Sequence, residues 1–392
     1  MRMSLMKSID RWVGLVLCTL LAPLERLWPR RRKGPIKRVL VLKFWGIGSI
    51  IMAGYLLRGI KASDPEVRID LATISSNREA AELVGGVDDL VTFDISSGPM
   101  GVISGILDLL KQVYRRQYDV VLDLEYLTRF TALVTFFSRA PLRAGFYARG
   151  FWRGNFHDVR VPFNPYWHVR ENFLNMGKAA GWDISAPSCT KIDPGGEARR
   201  EAEQFLEKEG VEKPYIVINP NAGETSLERR WPTDRFAHLA KRIDKELGMR
   251  AVVIGAAGEY DTVMEVVSGA GGDAAVSAAG KLTLHGLAAL LEGAAAVVSN
   301  DSGPLHLACH VGTPVVGLYG PETPVLWGPV TPDGIHAGVL FRNLDRSPCI
   351  NVHNMKTVVC LRKGAECLLD ISADEVFEAL QAVQQGGGGR KA

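Results

Sequence analysis

From Arg38 onward, short β-branched runs alternate with helix-length stretches, the pattern of a parallel sheet whose strands are joined by helices. Arg38–Lys43, Arg68–Thr73, Leu90–Asp94, Asp119–Leu124 and Leu142–Phe146 read as five strands. After Phe151 the alternation fails, and the text up to Trp182 reads as an irregular aromatic loop followed by a helix. Small, polar residues around 187–196 mark a domain boundary. A second alternation then begins, with strands expected at Pro214–Pro220, Met249–Gly255, Ala295–Asn300 and Thr313–Gly320. The last helix is expected over Ala373–Gln384, followed by a disordered tail, GGGGRKA. The expected fold is therefore α/β, with two facing Rossmann-like parallel-sheet domains, residues 35–190 and 191–385, and a ligand cleft between them.

Residues 1–34 stand apart. Trp12–Leu24 is an uncharged apolar run, shorter than the roughly 20 residues that span a bilayer. Arg30, Arg31, Arg32 and Lys33 follow at once, and no small-residue cleavage site does. An apolar helix beside basic residues, with Trp12 and Trp28 near its ends, suggests a segment lying on an anionic, cytoplasmic membrane surface. The competing expectations are a helix packed on its own protein or on a partner, and a true signal or anchor.

At 392 residues the chain exceeds one ordinary core, and 47% hydrophobic with 23% charged residues describes a globular protein. A net charge of +3 gives no reason to expect nucleic acid as a partner. Six scattered cysteines do not make a disulfide scaffold. Cys349, Cys360 and Cys367 cluster with His353, but without C-x-x-C spacing they read as thiols of a folded loop rather than a metal site.

Three loops carry the chemistry. The first strand ends in KFWGIGSII, where Gly46 and Gly48 are followed by Ile51 instead of the third glycine of a dinucleotide fingerprint. That argues against a nicotinamide enzyme, although the two glycines could still let a ligand approach the backbone. NPNAGETSLERRWP (219–232) sets Thr225, Ser226, Arg229 and Arg230 where a strand ends, donors suited to a diphosphate. VVSNDSGPLHL (297–307) places Asp301 or Ser302 at a helix N-cap with Pro304 in the first turn, and such a helix start attracts phosphate.

Together these features resemble glycosyltransferase family 9, the ADP-heptose:lipopolysaccharide heptosyltransferases, over about Arg38 to Leu380. The most specific part is NDSGPLHLACHVGTPVVGLYGP; LDLEYLTRFTALVTFFSRAPLRAGF and RRWPTDRFAHLAKRI are weaker matches in the family's order. The resemblance implies a GT-B fold, with the acceptor on the N-terminal half and the nucleotide sugar on the C-terminal half. By motif position, Asp301, Ser302, Gly303, Pro304 and His306 would meet the sugar diphosphate, and Thr225 and Arg229 its phosphates. Glu259 would face the ribose, and Lys281 or Leu282 would lie beside the adenine. A helix start and an arginine can stabilise a leaving diphosphate without a metal, and no D-x-D motif suggests a manganese site.

One departure stands out. The family reads Asp, the expected general base, where this chain has Ser49, and a serine hydroxyl does not accept a proton unaided at neutral pH. Asp123 and Glu125, at a strand end, are the nearest substitutes; otherwise the acceptor differs, or the chain binds nucleotide sugar without turning it over. Lys43, Arg129, Arg143, Arg149 and Arg153 spread positive charge through the same half, with Arg143 the one expected to meet an anionic glycolipid. The resulting expectation is an inverting, metal-independent transferase that needs no cofactor. It would move a heptose or related sugar from ADP-heptose to a lipopolysaccharide-core acceptor at the cytoplasmic face of the inner membrane. The alternatives are a catalytically silent nucleotide-sugar-binding homologue and a transferase for another sugar and acceptor.

Overall fold

The computed structural model describes residues 3–27, 34–126, 128–184, 191–223, 227–345, 347–350, 360 and 365–386. The chain divides into two compact units, Met1–Pro187 and Ser188–Ala392.

The first unit holds β1 (Arg38–Leu42), β2 (Arg68–Ile74), β3 (Asp89–Phe93), β4 (Val120–Asp123), β5 (Leu142–Tyr147) and β6 (Val159–Pro162). They form one parallel sheet in the order β3-β2-β1-β4-β5-β6. The second holds β7 (Ile216–Asn219), β8 (Ala251–Val253), β9 (Ala275–Ser277), β10 (Ala296–Asn300), β11 (Val315–Tyr319) and β12 (Ala337–Phe341). Their order, β12-β11-β10-β7-β8-β9, repeats the first topology. In each sheet the chain winds outward, returns to the middle, and winds out the other way. The crevice at the carboxyl ends of the two central strands is where such folds bind ligands.

Strands buried on both faces read as near-continuous apolar runs, and for that reason all nine strands expected from the pattern are present. The pattern did not predict β6, β9 or β12. All three lie at sheet edges; β6 and β12 are only partly buried, and β9 is a three-residue strand, too short to give an apolar run.

Residues Met3–Leu21 and Leu24–Leu27 form helices that belong to the first unit. Asp10 accepts the backbone N–H of Arg129 and Phe130, which caps the Phe130–Ser138 helix. Cys18 is fully buried against Phe136 and Phe156. Glu25 receives Arg139 at 3.4 Å and Arg143 at 2.9 Å. Among the described residues, no helix is long and apolar enough to cross a membrane.

Candidate functional site

In the second unit the central strands are β7 and β10, and both end in asparagine. Asn219 of β7 stands beside Ser299 of β10 and donates to the hydroxyls of Ser299 at 3.0 Å and Ser302 at 2.8 Å. Asn300 donates to Pro220 O at 2.9 Å and accepts the N–H of Trp231 at 3.1 Å. Trp231 is buried edge-on to Phe236 and bonds Ile371 O at 2.9 Å, which anchors the loop after β7 from below. The two asparagines thus tie the loops after β7 and β10 to one another.

The helix Gly303–Val311 leaves from that point, with Ser302 as its extended N-cap. The Ser302 hydroxyl is turned to Asn219 and Ser299 and makes no capping bond to the helix. In a helix the first amides have no partner within it, so Gly303 and Leu305 present N–H groups here, while Pro304 has none to lose. Arg229 lies beside this start. Its guanidinium donates to the backbone oxygens of Ala222 and Asp301, with Nε 3.8 Å from the Asp301 carboxylate. His306 is buried in the first turn, its ring 6.0 Å from that of Trp327. Asp301, Ser302, Gly303, Pro304, His306 and Arg229 are therefore grouped around one helix start that favours an anion.

The other expected donor residues lie further along the sheet. Glu259 follows β8, accepts the N–H of Ala256 at 2.9 Å and stands 3.8 Å from Arg230. Lys281 follows β9; its ammonium bonds Glu209 at 2.8 Å over the Phe205 ring, and Leu282 beside it is half-buried. Thr225 lies outside the described residues. Asn219, Ser299 and Asn300 escaped the sequence reading, although an asparagine closing each of two central strands was the available signal.

In the first unit, Gly46 (φ 85°) closes the turn after β1 as the N-cap of the next helix, and its conformation is one that side chains rarely adopt. Gly48 is buried and Ser49 half-buried in the first turn of the Ile47–Ser63 helix. Glu125 holds this turn from β4: one oxygen accepts Lys43 Nζ at 2.7 Å and the N–H groups of Phe44 at 2.7 Å and Trp45 at 2.9 Å. Asp123 has no exposed surface. Its Oδ2 receives Arg153, Thr131 at 2.9 Å and His157 at 3.0 Å, and its Oδ1 accepts the N–H of Glu125. Burial alone would raise the Asp123 pKa, but Arg153, then His157 and Thr131, hold it below the usual carboxylate value. Burial lowers the His157 pKa, against the raising effect of its Asp123 bond. Gly145 allows this arrangement, since a Cβ there would meet the His157 ring at 2.3 Å.

Both carboxylates considered as a base are thus bound up in protein contacts. Arg143, expected at an acceptor, is fully buried between Glu25 and Asp158, so contact with any ligand would require displacing those acids. Of the remaining cations, Lys43, Arg129 and Arg153 are buried and Arg149 is exposed.

The sequence profile of glycosyltransferase family 9 (heptosyltransferase) matches residues 106–356. Lipopolysaccharide heptosyltransferase 2 of Escherichia coli K12 is 26% identical over 363 residues, covering 88% of this chain and 98% of that protein. Among solved structures, the glycosyl transferase family 9 protein from Veillonella parvula aligns with a TM-score of 0.73 at 26% identity, over 90% of this chain and 99% of that one. The ADP-heptose lps heptosyltransferase II of E. coli aligns with a TM-score of 0.69 at 22% identity, over 89% and 99%. With two Rossmann-like parallel sheets of the GT-B class and a profile match across most of its length, this chain belongs to glycosyltransferase family 9, the heptosyltransferases.

Proposed function

We propose that the protein transfers a heptose from ADP-heptose to an anionic, lipopolysaccharide-core acceptor, working at the cytoplasmic face of the inner membrane. The observation that carries this reading is the start of the Gly303–Val311 helix, where Ser302 is diverted to Asn219 and Arg229 stands alongside. As the glycosidic bond breaks, negative charge collects on the leaving diphosphate, and amide groups fixed in advance with a guanidinium stabilise it. The acceptor is assigned to the first unit, at the turn holding Gly46, Gly48 and Ser49, where its hydroxyl attacks the anomeric carbon with inversion. Glu259 is assigned to the ribose, and Lys281 and Leu282 to the adenine side. These charge-stabilising groups come from the protein itself, and transfer is expected to proceed undiminished in EDTA.

The test is direct: ADP-heptose, ADP and UDP-sugars are titrated against the purified protein, followed by product analysis with a heptose-deficient core acceptor. Selective binding of ADP-heptose with release of ADP and a heptosylated product supports the reading; tight binding of a different nucleotide sugar refutes the donor. A second reading is favoured by Ser49 together with the burial of Asp123 and Glu125, namely a protein that binds the donor without transferring it. It predicts donor binding with no ADP release on any core acceptor.

A further inference from the structure

We infer that the N-terminal helix is an in-plane docking surface for an anionic lipid bilayer. Its two faces differ sharply. Asp10, Gly14, Cys18 and Leu21, spaced four, four and three residues apart, turn toward the Phe130–Ser138 helix and its neighbours. The opposite stripe, Ile9, Trp12, Val13, Val16, Leu17 and Leu20, is exposed, and Trp12 and Leu20 show 63% and 66% of their surface to solvent. Leu24 and Leu27 extend the stripe into the short second helix. The Gly98–Arg116 helix packs against the same Phe130–Ser138 helix and exposes Met100, Ile103 and Leu107 on one of its own faces.

Charge selects the occupant. Residues 1–34 contain eight basic and two acidic side chains. Both acids face inward: Asp10 caps a neighbouring helix and Glu25 binds Arg139 and Arg143. Every other charge in that stretch of sequence is positive, and Arg11 is exposed beside Trp12. An apolar stripe in a stretch of sequence whose remaining charges are all positive suits anionic headgroups over acyl chains, whereas a second copy of the same segment would meet like charge. The inward ionic contacts also hold the helix on the protein, so it lies along the bilayer instead of crossing it. The inference deepens the membrane-face part of the proposed function and is independent of whether sugar is transferred.

The test is co-sedimentation of the full-length protein with vesicles of phosphatidylcholine alone, or mixed with phosphatidylglycerol, at low and high salt. The wild type is expected to pellet with the mixed vesicles and to be released as salt screens the attraction. The double variant Val16→Glu/Leu20→Glu is expected to lose roughly tenfold or more in vesicle affinity, from lost apolar burial and added repulsion. Because both positions are exposed, its melting temperature should match the wild type. Equal vesicle binding by variant and wild type would overturn the inference, as would no binding by either. So would a wild-type dimer that the double variant separates in sedimentation velocity. ADP release, assayed on a lipid-free acceptor, reports separately on the transfer reaction.

Discussion

Glu125 holds the ammonium of Lys43 at 2.7 Å across the two central strands of the first sheet, and both side chains are almost wholly buried. The same carboxylate oxygen receives two amides of the turn leading to Ser49. Replacing Glu125 with Ala leaves a buried cation and two amides without their acceptor. Such a break costs about 3–5 kcal/mol, and urea unfolding of the first unit should show it. Glu125→Gln, which keeps the shape and an acceptor, should lose less.

Acid should weaken the first unit in two stages. Asp123 and His157 both titrate below their ordinary values, so between folded and ordinary pKa the unfolded chain binds more protons and stability rises with pH. The melting temperature is therefore expected to fall as pH drops through 6.5, the ordinary imidazole value, and again below 3.8, that of aspartate. His157→Asn should remove the first stage. A melting temperature that rises on mild acidification would show that the pair gains from a charged imidazole.

Arg229 stands next to the uncapped helix start with a partly exposed side chain. Arg229→Ala should reduce turnover by about 10²–10³-fold, the range seen when one preorganised donor to a developing anion is lost. Its melting temperature should move little, because the loop after β7 is anchored by Trp231 instead. Steady-state ADP release and a thermal melt of the same preparation check both halves.

Ser49 occupies the first turn of the Ile47–Ser63 helix, where a carboxylate is welcomed by the helix dipole. Ser49→Asp should raise transfer severalfold or more with a core acceptor whose hydroxyl needs a base. A rate unchanged by the substitution would place proton removal elsewhere.

Much of the architecture could be read in advance because strands buried on both faces are written as continuous apolar runs. The helix start after Ser302 was equally legible, since a cap residue, a glycine and a proline in sequence have few other uses. The environment of Asp123 was not. At the end of β4 it reads either as a base or as a capped or salt-bridged carboxylate, and its partners Arg153 and His157 arrive from the aromatic stretch after Phe151, which has no period that would betray where its side chains go. The ion pairs of Arg143 were hidden for a related reason. Its partner Glu25 lies 118 residues earlier, in a segment whose apolar run drew attention to lipid instead of to the few charges that fasten it.

The Asp10 bond has a practical corollary for anyone trimming the gene. Deleting the first two helices looks like a harmless way to improve handling, but it would strip the cap from the Phe130–Ser138 helix and leave Arg143 with Asp158 alone. The shortened product would keep every residue of both sheets and still be the frailer protein.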